Sequence, residues 1–324
     1  MRQLVTGGAG FIGSNYVRHL LSSSDDEVTI FDALTYAGNL STLHDLAEDP
    51  RVRFVKGDIC DLGTLQDSMA DHQVVVHFAA ETHVDRSIGG SHDFVQTNCV
   101  GTNYVMEAAR RVGVTKVVHI GTDEVYGSVS EGSSIETDAL DPRSPYSASK
   151  AGSDLIALSH HATHGLPVVV TRATNNFGPY QFPEKVIPLF TTNLLGGGTV
   201  PLYGDGLNER DWLFVDDHCA ALAMVVERGV PGQIYNIGAG NETPNLVLTE
   251  KLLALTGRDK SAVCYVEDRK GHDRRYSVDI TKVTALGWRR RRTLDEALGE
   301  TVRWYRDNEW WWEPLKASRS PEGS

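Results

Sequence analysis

Gly7-Gly8-Ala9-Gly10-Phe11-Ile12-Gly13 follows the apolar run Gln3–Thr6 and opens a helical stretch that begins at Phe11. It holds two overlapping spacings, GxGxxG at Gly8, Gly10 and Gly13 and GxxGxxG at Gly7, Gly10 and Gly13. Without Cβ atoms such a loop turns tightly and brings backbone N–H groups to a pyrophosphate, and the helix N-terminus behind it carries about half a positive charge. Glycine turns are common, so the motif alone decides little. Its place between strand and helix is what makes it a dinucleotide site. Asp32 closes the next apolar run, Val28–Phe31, about 20 residues past the loop. A carboxylate there accepts from ribose hydroxyls and repels a 2′-phosphate, which favours NAD over NADP. After a third run, Gly57-Asp58-Ile59 puts a further carboxylate, Asp58, within reach of the adenine amino group.

Outward from the loop, short apolar runs alternate with helical stretches. The expected strands are Gln3–Thr6, Val28–Phe31, Val52–Lys56, Val74–Phe78, Lys116–Ile120 and Pro167–Thr171, and the expected helices include Phe11–Leu21, Asn98–Arg111 and Pro145–His164. Continuous Val, Ile and Phe runs suit strands buried on both faces, and the alternation argues for right-handed βαβ units. The expected class is α/β, a Rossmann doubly wound parallel sheet with a smaller mixed α/β lobe for substrate. Regularity fades past Thr171. The segment 175–210 is dense in Pro, Gly and Asn and reads as loops and turns, before a helix at Val215–Arg228 and a strand at Gln233–Ile237. The expected division is therefore 1–174 with 212–237 for the cofactor half, and 175–211 with 238–324 for the substrate lobe. Trp310-Trp311-Trp312 is expected to pack on the body, and Lys316–Ser324 to fray.

The chain has 324 residues, 31 Lys plus Arg against 43 Asp plus Glu, and a formal charge of −12. A general basic surface for nucleic acid or an anionic membrane is excluded by that balance, so an anionic substrate needs a local cationic pocket. Cys60, Cys99, Cys219 and Cys264 have neither metal-ligand nor CxxC spacing and read as buried, reduced thiols; no metal is expected. The N-terminus runs directly into a strand, which leaves no room for a signal peptide, and no apolar run approaches the ~18 residues that span a bilayer. A cytoplasmic protein is expected.

Two clusters carry chemistry. In Ser144-Pro145-Tyr146-Ser147-Ala148-Ser149-Lys150, Ser144 suits an N-cap and Pro145 the first helical position, so Tyr146 and Lys150, at i and i+4, share a face. An ammonium beside a phenol favours the phenolate, giving a base that takes a proton from a sugar hydroxyl as hydride leaves the same carbon. Alone, YxxxK is more often an ordinary surface pair; downstream of a dinucleotide loop it is not. Gly121-Thr122-Asp123-Glu124-Val125-Tyr126-Gly127 lies just past the fifth strand, at the edge where doubly wound sheets bind ligands. Adjacent carboxyl groups there form an acid and base pair if their environments split their pKa values; otherwise they are a solvated turn.

Together Gly7–Gly13, Thr122-Asp123-Glu124 and Tyr146-x-x-x-Lys150 resemble the extended short-chain dehydrogenase/reductases and, within them, the dTDP-glucose 4,6-dehydratases. Further matching stretches are His77–Ser87, Asn175–Lys185, Arg210-Asp211-Trp212 and Gly271–Tyr276, so the resemblance covers nearly the whole chain. The Thr-Asp-Glu triplet is its most specific part, because related epimerases and decarboxylases usually lack the acid pair. The resemblance implies that Tyr146 takes the C4 hydroxyl proton while hydride passes to NAD. It further implies that Glu124 removes the C5 proton, Asp123 protonates the departing C6 hydroxyl, Thr122 bonds near the C4 oxygen, and the hydride returns to C6. The product would be a 4-keto-6-deoxy sugar nucleotide.

The same resemblance implies NAD contacts at Gly7, Gly10, Phe11, Ile12, Gly13, Asp32, Ala33, Leu34, Thr35, Asp58, Ile59, Phe78, Ala79, Ala80, Thr97, Tyr146, Lys150 and Asn176. For the sugar nucleotide it implies Thr82, Thr122, Asn175, Lys185, Val186, Pro201, Leu202, Tyr203, Arg210, Asn245, Asp268, Arg269, Lys270, Gly271 and His272, with Arg210, Arg269 and His272 at the diphosphate. Lys270 stands where the family commonly has Pro, and Thr82 where Ser is frequent. A homodimer formed through Asn98–Arg111 and Pro145–His164 is implied, and Leu155, Ile156 and Leu158 supply apolar surface on the second helix. Two rival readings remain at this level, a UDP- or GDP-sugar epimerase or decarboxylase, and a non-catalytic NAD or nucleotide-sugar sensor. Against the sensor stands the complete set Thr122, Asp123, Glu124, Tyr146 and Lys150.

Overall fold

A parallel strand covered by helices on both faces must send alternate side chains into two different cores. The computed structural model, which describes residues 1–268 and 272–317, shows this division. In chain order the first half comprises β1 (Arg2–Thr6), α1 (Phe11–Ser23), β2 (Glu27–Asp32), β3 (Val52–Lys56), α2 (Leu62–Met69), β4 (Val74–His77), α3 (Val84–Gly89) and α4 (His92–Val95). A π-helical turn (Gln96–Gly101) then continues as α5 (Thr102–Val112), followed by β5 (Lys116–Thr122), α6 (Pro145–His164) and β6 (Val168–Ala173). The second half comprises β7 (Asn175–Phe177), α7 (Val186–Leu195), β8 (Val200–Tyr203), β9 (Glu209–Phe214), α8 (Val215–Arg228) and β10 (Ile234–Ile237). After these come β11 (Glu242–Pro244), α9 (Asn245–Thr256), β12 (Val263–Val266), α10 (Thr281–Ala285), α11 (Leu294–Asp307) and α12 (Glu309–Ala317).

The large sheet has seven strands in the order β3-β2-β1-β4-β5-β6-β10, all parallel. The expected doubly wound α/β class is the one found. Val5, Val76, Val118 and Val169 enter one core with Tyr16, Leu20, Leu222 and Val225 of α1 and α8. Leu4, Val75, Val117 and Val170 enter the other with Leu65, Met69, Val105 and Ala157 of α2, α5 and α6. Each fully buried Val or Leu contributes about 1.5–3 kcal/mol, so a register slip of one residue is strongly disfavoured. Strand order reverses between β1 and β4, which opens a crevice at the C-terminal ends of both.

The smaller lobe is built on β11-β9-β7, the parallel pair β12-β8, and α7, α9 and α11 around Phe177, Ile187, Phe190, Trp212, Leu248 and Leu298. The segment read as loops, 175–210, therefore holds two strands, the start of a third and the helix α7. Val186-Ile187-Pro188-Leu189-Phe190-Thr191-Thr192-Asn193-Leu194-Leu195 is apolar almost all round, the pattern of a buried helix rather than an amphipathic one. Pro188 falls in its first turn, where an N–H has no intrahelical partner. The boundary expected at 211/212 falls inside β9, and Val283 and Trp288 pack into the core of the large sheet although they follow residue 238.

Other differences are local. Asn98–Arg111, expected as one α-helix, begins as a π turn. Trp311 and Trp312 are buried, whereas Trp310 is 49% exposed, its ring 4.7 Å from that of His44. Lys316 does not fray: its Nζ donates to Thr192 Oγ1 at 3.1 Å and Asn193 Oδ1 at 2.6 Å, and residues 318–324 lie outside the described chain. Of the thiols expected to be buried, only Cys219 is; Cys60 and Cys99 are half-buried and Cys264 on β12 is exposed.

Candidate active site

One cavity of about 330 Å³ runs along the crevice from the glycine loop to α7. At its first end Gly7 has φ +69°, and a Cβ on it would lie 2.6 Å from Ala79 N; one on Gly13 would lie 2.4 Å from Gly7 O. Both positions need glycine so that loop, β4 and α1 can close on each other. Gly10 caps α1 without any side-chain acceptor, so the first helical N–H groups face the cavity uncovered. That donor set suits the pyrophosphate of a dinucleotide. Asp32 is buried at the end of β2; its Oδ2 accepts from Ala9 N at 2.9 Å and its Oδ1 from Leu34 N at 2.8 Å. The carboxylate thus anchors the glycine loop while facing the cavity. Asp58 Oδ1 likewise accepts from Cys60 N at 2.8 Å.

The reacting end is assembled by β5 and α6. β5 runs two residues beyond its expected end, so Gly121 and Thr122 belong to the strand, and Asp123–Tyr126 form a single 3₁₀ turn. Thr122 caps that turn by accepting from Glu124 N at 3.3 Å, and its hydroxyl donates to Asp123 Oδ1 at 3.3 Å. α6 begins as its sequence indicates, with Pro145 at the first position and a reciprocal capping box between Ser144 and Ser147. Tyr146 and Lys150 are both buried and line the cavity with Thr122, Asp123 and Glu124.

The electrostatics separate these groups. Burial, then the neighbouring charges of Glu124 and Asp211, hold the Asp123 carboxyl well above the usual carboxylate range, and its Oδ2 has no hydrogen-bond partner among the described residues. Asp123 is therefore set up to carry a proton. Tyr146 differs from its expected state. Burial, then Glu124, push its phenol well above its ordinary value, and the Lys150 ammonium donates instead to Ile120 O at 2.6 Å. In the protein alone the phenol is protonated, because burial, and after it the Glu124 charge, oppose the phenolate.

The sequence profile of the GDP-mannose 4,6 dehydratase family matches residues 4–301. The dTDP-glucose 4,6-dehydratase of Streptomyces niveus is 53% identical over 100% of this chain and 98% of its own length. That of Streptomyces antibioticus is 55% identical over 98% of this chain and 96% of its own. The solved structure of DesIV, the dTDP-glucose 4,6-dehydratase of Streptomyces venezuelae with NAD bound, superposes with a TM-score of 0.95 at 55% identity, covering 97% of this chain and 100% of that one. The chain belongs to the dTDP-glucose 4,6-dehydratase family. The UDP-glucose 4-epimerase of Thermus thermophilus, also solved with NAD, shares the fold at a TM-score of 0.89 but only 31% identity, over 95% of this chain and 100% of that one.

Against this dehydratase fold, the expected cofactor residues line the cavity except Leu34, which takes φ +56° at the rim with its N–H on Asp32. Of the expected substrate residues, Thr82, Thr122, Asn175 and Lys185 line it, and Lys185 Nζ donates to Thr82 O at 3.0 Å. Val186 packs on the core of the small lobe, Leu202 is buried in β8, and Pro201 and Asn245 also lie off the cavity wall. Arg210, expected to grip the diphosphate, is buried with Nη1 on Glu209 O at 2.7 Å and Nη2 on Asp273 O at 2.9 Å. Tyr203, Asp268 and His272 gather on the lobe outside the cavity wall, His272 Nδ1 lying 2.6 Å from Asp268 Oδ1 and its ring 6.3 Å from that of Tyr203. Arg269, Lys270 and Gly271 lie outside the described residues. Residues not singled out also line the cavity, among them Glu81, Gln181, Phe182, Glu184 and His218. The first four sit inside or beside matched stretches, but nothing in the sequence around His218 pointed to the site.

Proposed function

We propose that the chain eliminates water from dTDP-glucose to give dTDP-4-keto-6-deoxyglucose, with NAD as a resident cofactor regenerated in each turnover. The observation that carries this reading is the acid pair Asp123-Glu124 lining one buried cavity with Tyr146 and Lys150, in a chain more than half identical to dTDP-glucose 4,6-dehydratases. Gly7, Gly10 and Gly13 with the start of α1 would hold the pyrophosphate. Asp32 would hold the adenosine ribose, Asp58 and Ile59 the adenine, and Ala80, Thr97, Lys150 and Asn176 the nicotinamide end. Bound there, NAD supplies the redox chemistry at C4 and C6.

In this reading Tyr146, whose phenol would lose its own proton to solvent once the cationic nicotinamide ring lay beside it, takes the C4 hydroxyl proton, aided by Thr122 near the same oxygen. The C4 ketone acidifies the C5 proton, which Glu124 removes. Asp123, kept neutral by its surroundings, gives its proton to the C6 hydroxyl, which leaves as water. Acid and base act on neighbouring carbons, as adjacent residues of one tight turn allow. The seven-stranded half serves the cofactor and the smaller lobe the sugar nucleotide.

We also read the chain as a cytoplasmic homodimer associating through α5 and α6. Leu155 on α6 is 58% exposed and Val95 just before the π turn 50%, apolar surface that a partner would cover. Among the described residues no helix is long and apolar enough to cross a membrane. The deciding experiment incubates purified chain with dTDP-, UDP- and GDP-glucose. A 4-keto-6-deoxy product from dTDP-glucose without net NADH is expected; intact substrate or an epimer alone overturns the reading.

A further inference from the structure

Below the site, one turn further along α6 from Lys150, lies Asp154, a carboxylate with no exposed surface in the middle of a helix. A buried charge persists only where it is paired. Asp154 Oδ2 accepts from Arg172 Nε on β6 at 2.8 Å, and its Oδ1 lies 3.3 Å from His119 Nε2 on β5. Arg172 is itself buried, with its guanidinium 4.8 Å from the ring of Tyr126. The reacting strand makes room for this cluster. A Cβ on Gly121 would lie 2.9 Å from Asp154 Oδ1 and 2.6 Å from Thr171 O, so only glycine lets the carboxylate reach the end of β5. The preceding carbonyl, Ile120 O, is the acceptor that holds the Lys150 ammonium. Lysine and aspartate, one helical turn apart, thus meet two successive residues of one strand, the first by a hydrogen bond and the second by close packing.

We propose that Asp154, clamped by Arg172 and His119, is a positioning residue that keeps the buried Lys150 side chain charged and fixed on Ile120. The inference rests on the reading of Lys150 as the cation beside Tyr146. The charged and titratable groups around Lys150 are Tyr146 and Asp154 on its own helix, Cys99 on the π turn, His77 on β4, and His119 on β5, with Arg172 of β6 behind Asp154. Burial holds His77 well below the ordinary histidine range and lowers His119 as well, against the pull of Asp154. Burial also works against the ammonium, and Asp154 is the foremost group opposing it. Nothing else in this set supplies a fixed negative charge.

The test is competitive acetylation of the purified full-length chain by acetic anhydride across pH, followed on the Lys150 peptide by mass spectrometry, since only the neutral amine reacts. Asp154→Asn should lower the Lys150 midpoint by at least about half a pH unit, and Arg172→Gln should raise it, because the two substitutions remove opposite charges near one ammonium. The pH profile of dehydration should move in the same two directions. Asp154→Asn leaves Arg172 buried without its carboxylate and can fail to fold. Arg172→Gln, which retains a donor for Asp154, then decides alone. A midpoint unmoved in either variant, or moved the same way in both, overturns the proposal. Absence of keto product in the parent chain would instead overturn the dehydratase reading and leave the labelling shifts standing.

Discussion

Asn98 reaches across from the π turn to α6, its Nδ2 donating to Ser149 Oγ at 2.8 Å. The same amide closes a reciprocal pair with Glu81, whose N–H it accepts at 2.8 Å and whose carbonyl it donates to at 3.0 Å. Asn98 is 1% exposed, so one buried side chain ties together the loop after β4, the π turn and the residue before Lys150. The wider π turn is what aims it; such turns concentrate at functional sites. Asn98→Ala would leave the part-buried backbone N–H and carbonyl of Glu81 unpaired, at about 1–3 kcal/mol for each orphan, while the Ser149 hydroxyl keeps its bond to Tyr146 O. The expected outcome is a lower melting temperature together with a lower kcat, read by thermal unfolding and by product formation. An unchanged melting temperature would show that water fills the gap.

Asp123 links activity to stability with a definite sign. Its folded-state pKa lies above the unfolded one, so the native state holds the proton more tightly. The stability this brings is complete below the unfolded carboxylate range, near pH 4, and is lost as pH rises through the folded value. Asp123→Asn removes the titration while keeping size and shape. The variant should melt higher than the parent at neutral pH, with the difference shrinking toward pH 4. It cannot donate the proton to the leaving hydroxyl, so kcat should fall by about 10²–10⁴-fold. Melting curves and initial rates over the same pH series check both; a variant no more stable than the parent at any pH would sink the linkage.

How much of this was legible beforehand follows from what each signal depends on. Gly7–Gly13, Asp32 and the Tyr146-x-x-x-Lys150 pair are local patterns, each set by one turn or one helix face, and the structure places them in one cavity. The sheet was legible because its strands carry apolar residues toward both faces. α7 was not, because an all-round apolar helix has no periodicity to set against its flanking Gly and Pro. The protonated Tyr146 was not, because its burial and the nearness of Glu124 are tertiary, as is the bond that turns the Lys150 ammonium to a carbonyl of β5. The bonds of Arg210, expected at the diphosphate, to carbonyls of the segment 273–274 and of its own neighbour were not legible either, since no spacing encodes them.

His218 is the clearest residue without a sequence signal. It is fully buried in α8, and its Nδ1–H donates to Asn176 Oδ1 at 2.8 Å, while Asn176 Nδ2 donates to Thr174 O at 2.9 Å. Burial lowers its pKa to about 3. Unfolding lets the ring take up a proton below the ordinary histidine range near pH 6.5, so this group supports the fold above that pH. The support is lost progressively as pH falls toward the folded value, by at most about 1.4 kcal/mol per pH unit. His218→Asn keeps a donor toward Asn176 without a titrating ring. Its melting temperature should therefore fall less steeply than that of the parent between pH 6.5 and pH 4.5. A parallel fall would mean that His77 and His119, also held neutral by burial, account for the acid sensitivity alone.

The C-terminal helix reaches the cavity through aromatic contacts. Trp311 is 2% exposed, its Nε1 donating to Thr42 Oγ1 at 3.2 Å and its ring lying 5.5 Å from that of Tyr180. Tyr180 holds φ +64°, unusual for a residue with a Cβ, and Arg18 of α1 stacks on its ring at 3.9 Å. The next residue, Gln181, lines the cavity, accepts through its carbonyl from Tyr305 of α11, and donates from Nε2 to Asn176 O at 2.9 Å. Trp311 therefore supports a strained turn from outside while that turn holds the cavity wall from within. Trp311→Ala should cost about 3–5 kcal/mol as a buried truncation. Because the strained turn relaxes with it, the loss should extend to function: KM for the nucleotide sugar should rise at temperatures where the variant is still folded. Circular dichroism establishes that temperature window, and steady-state kinetics within it measure KM; a variant with lower stability but unchanged KM would confine Trp311 to packing.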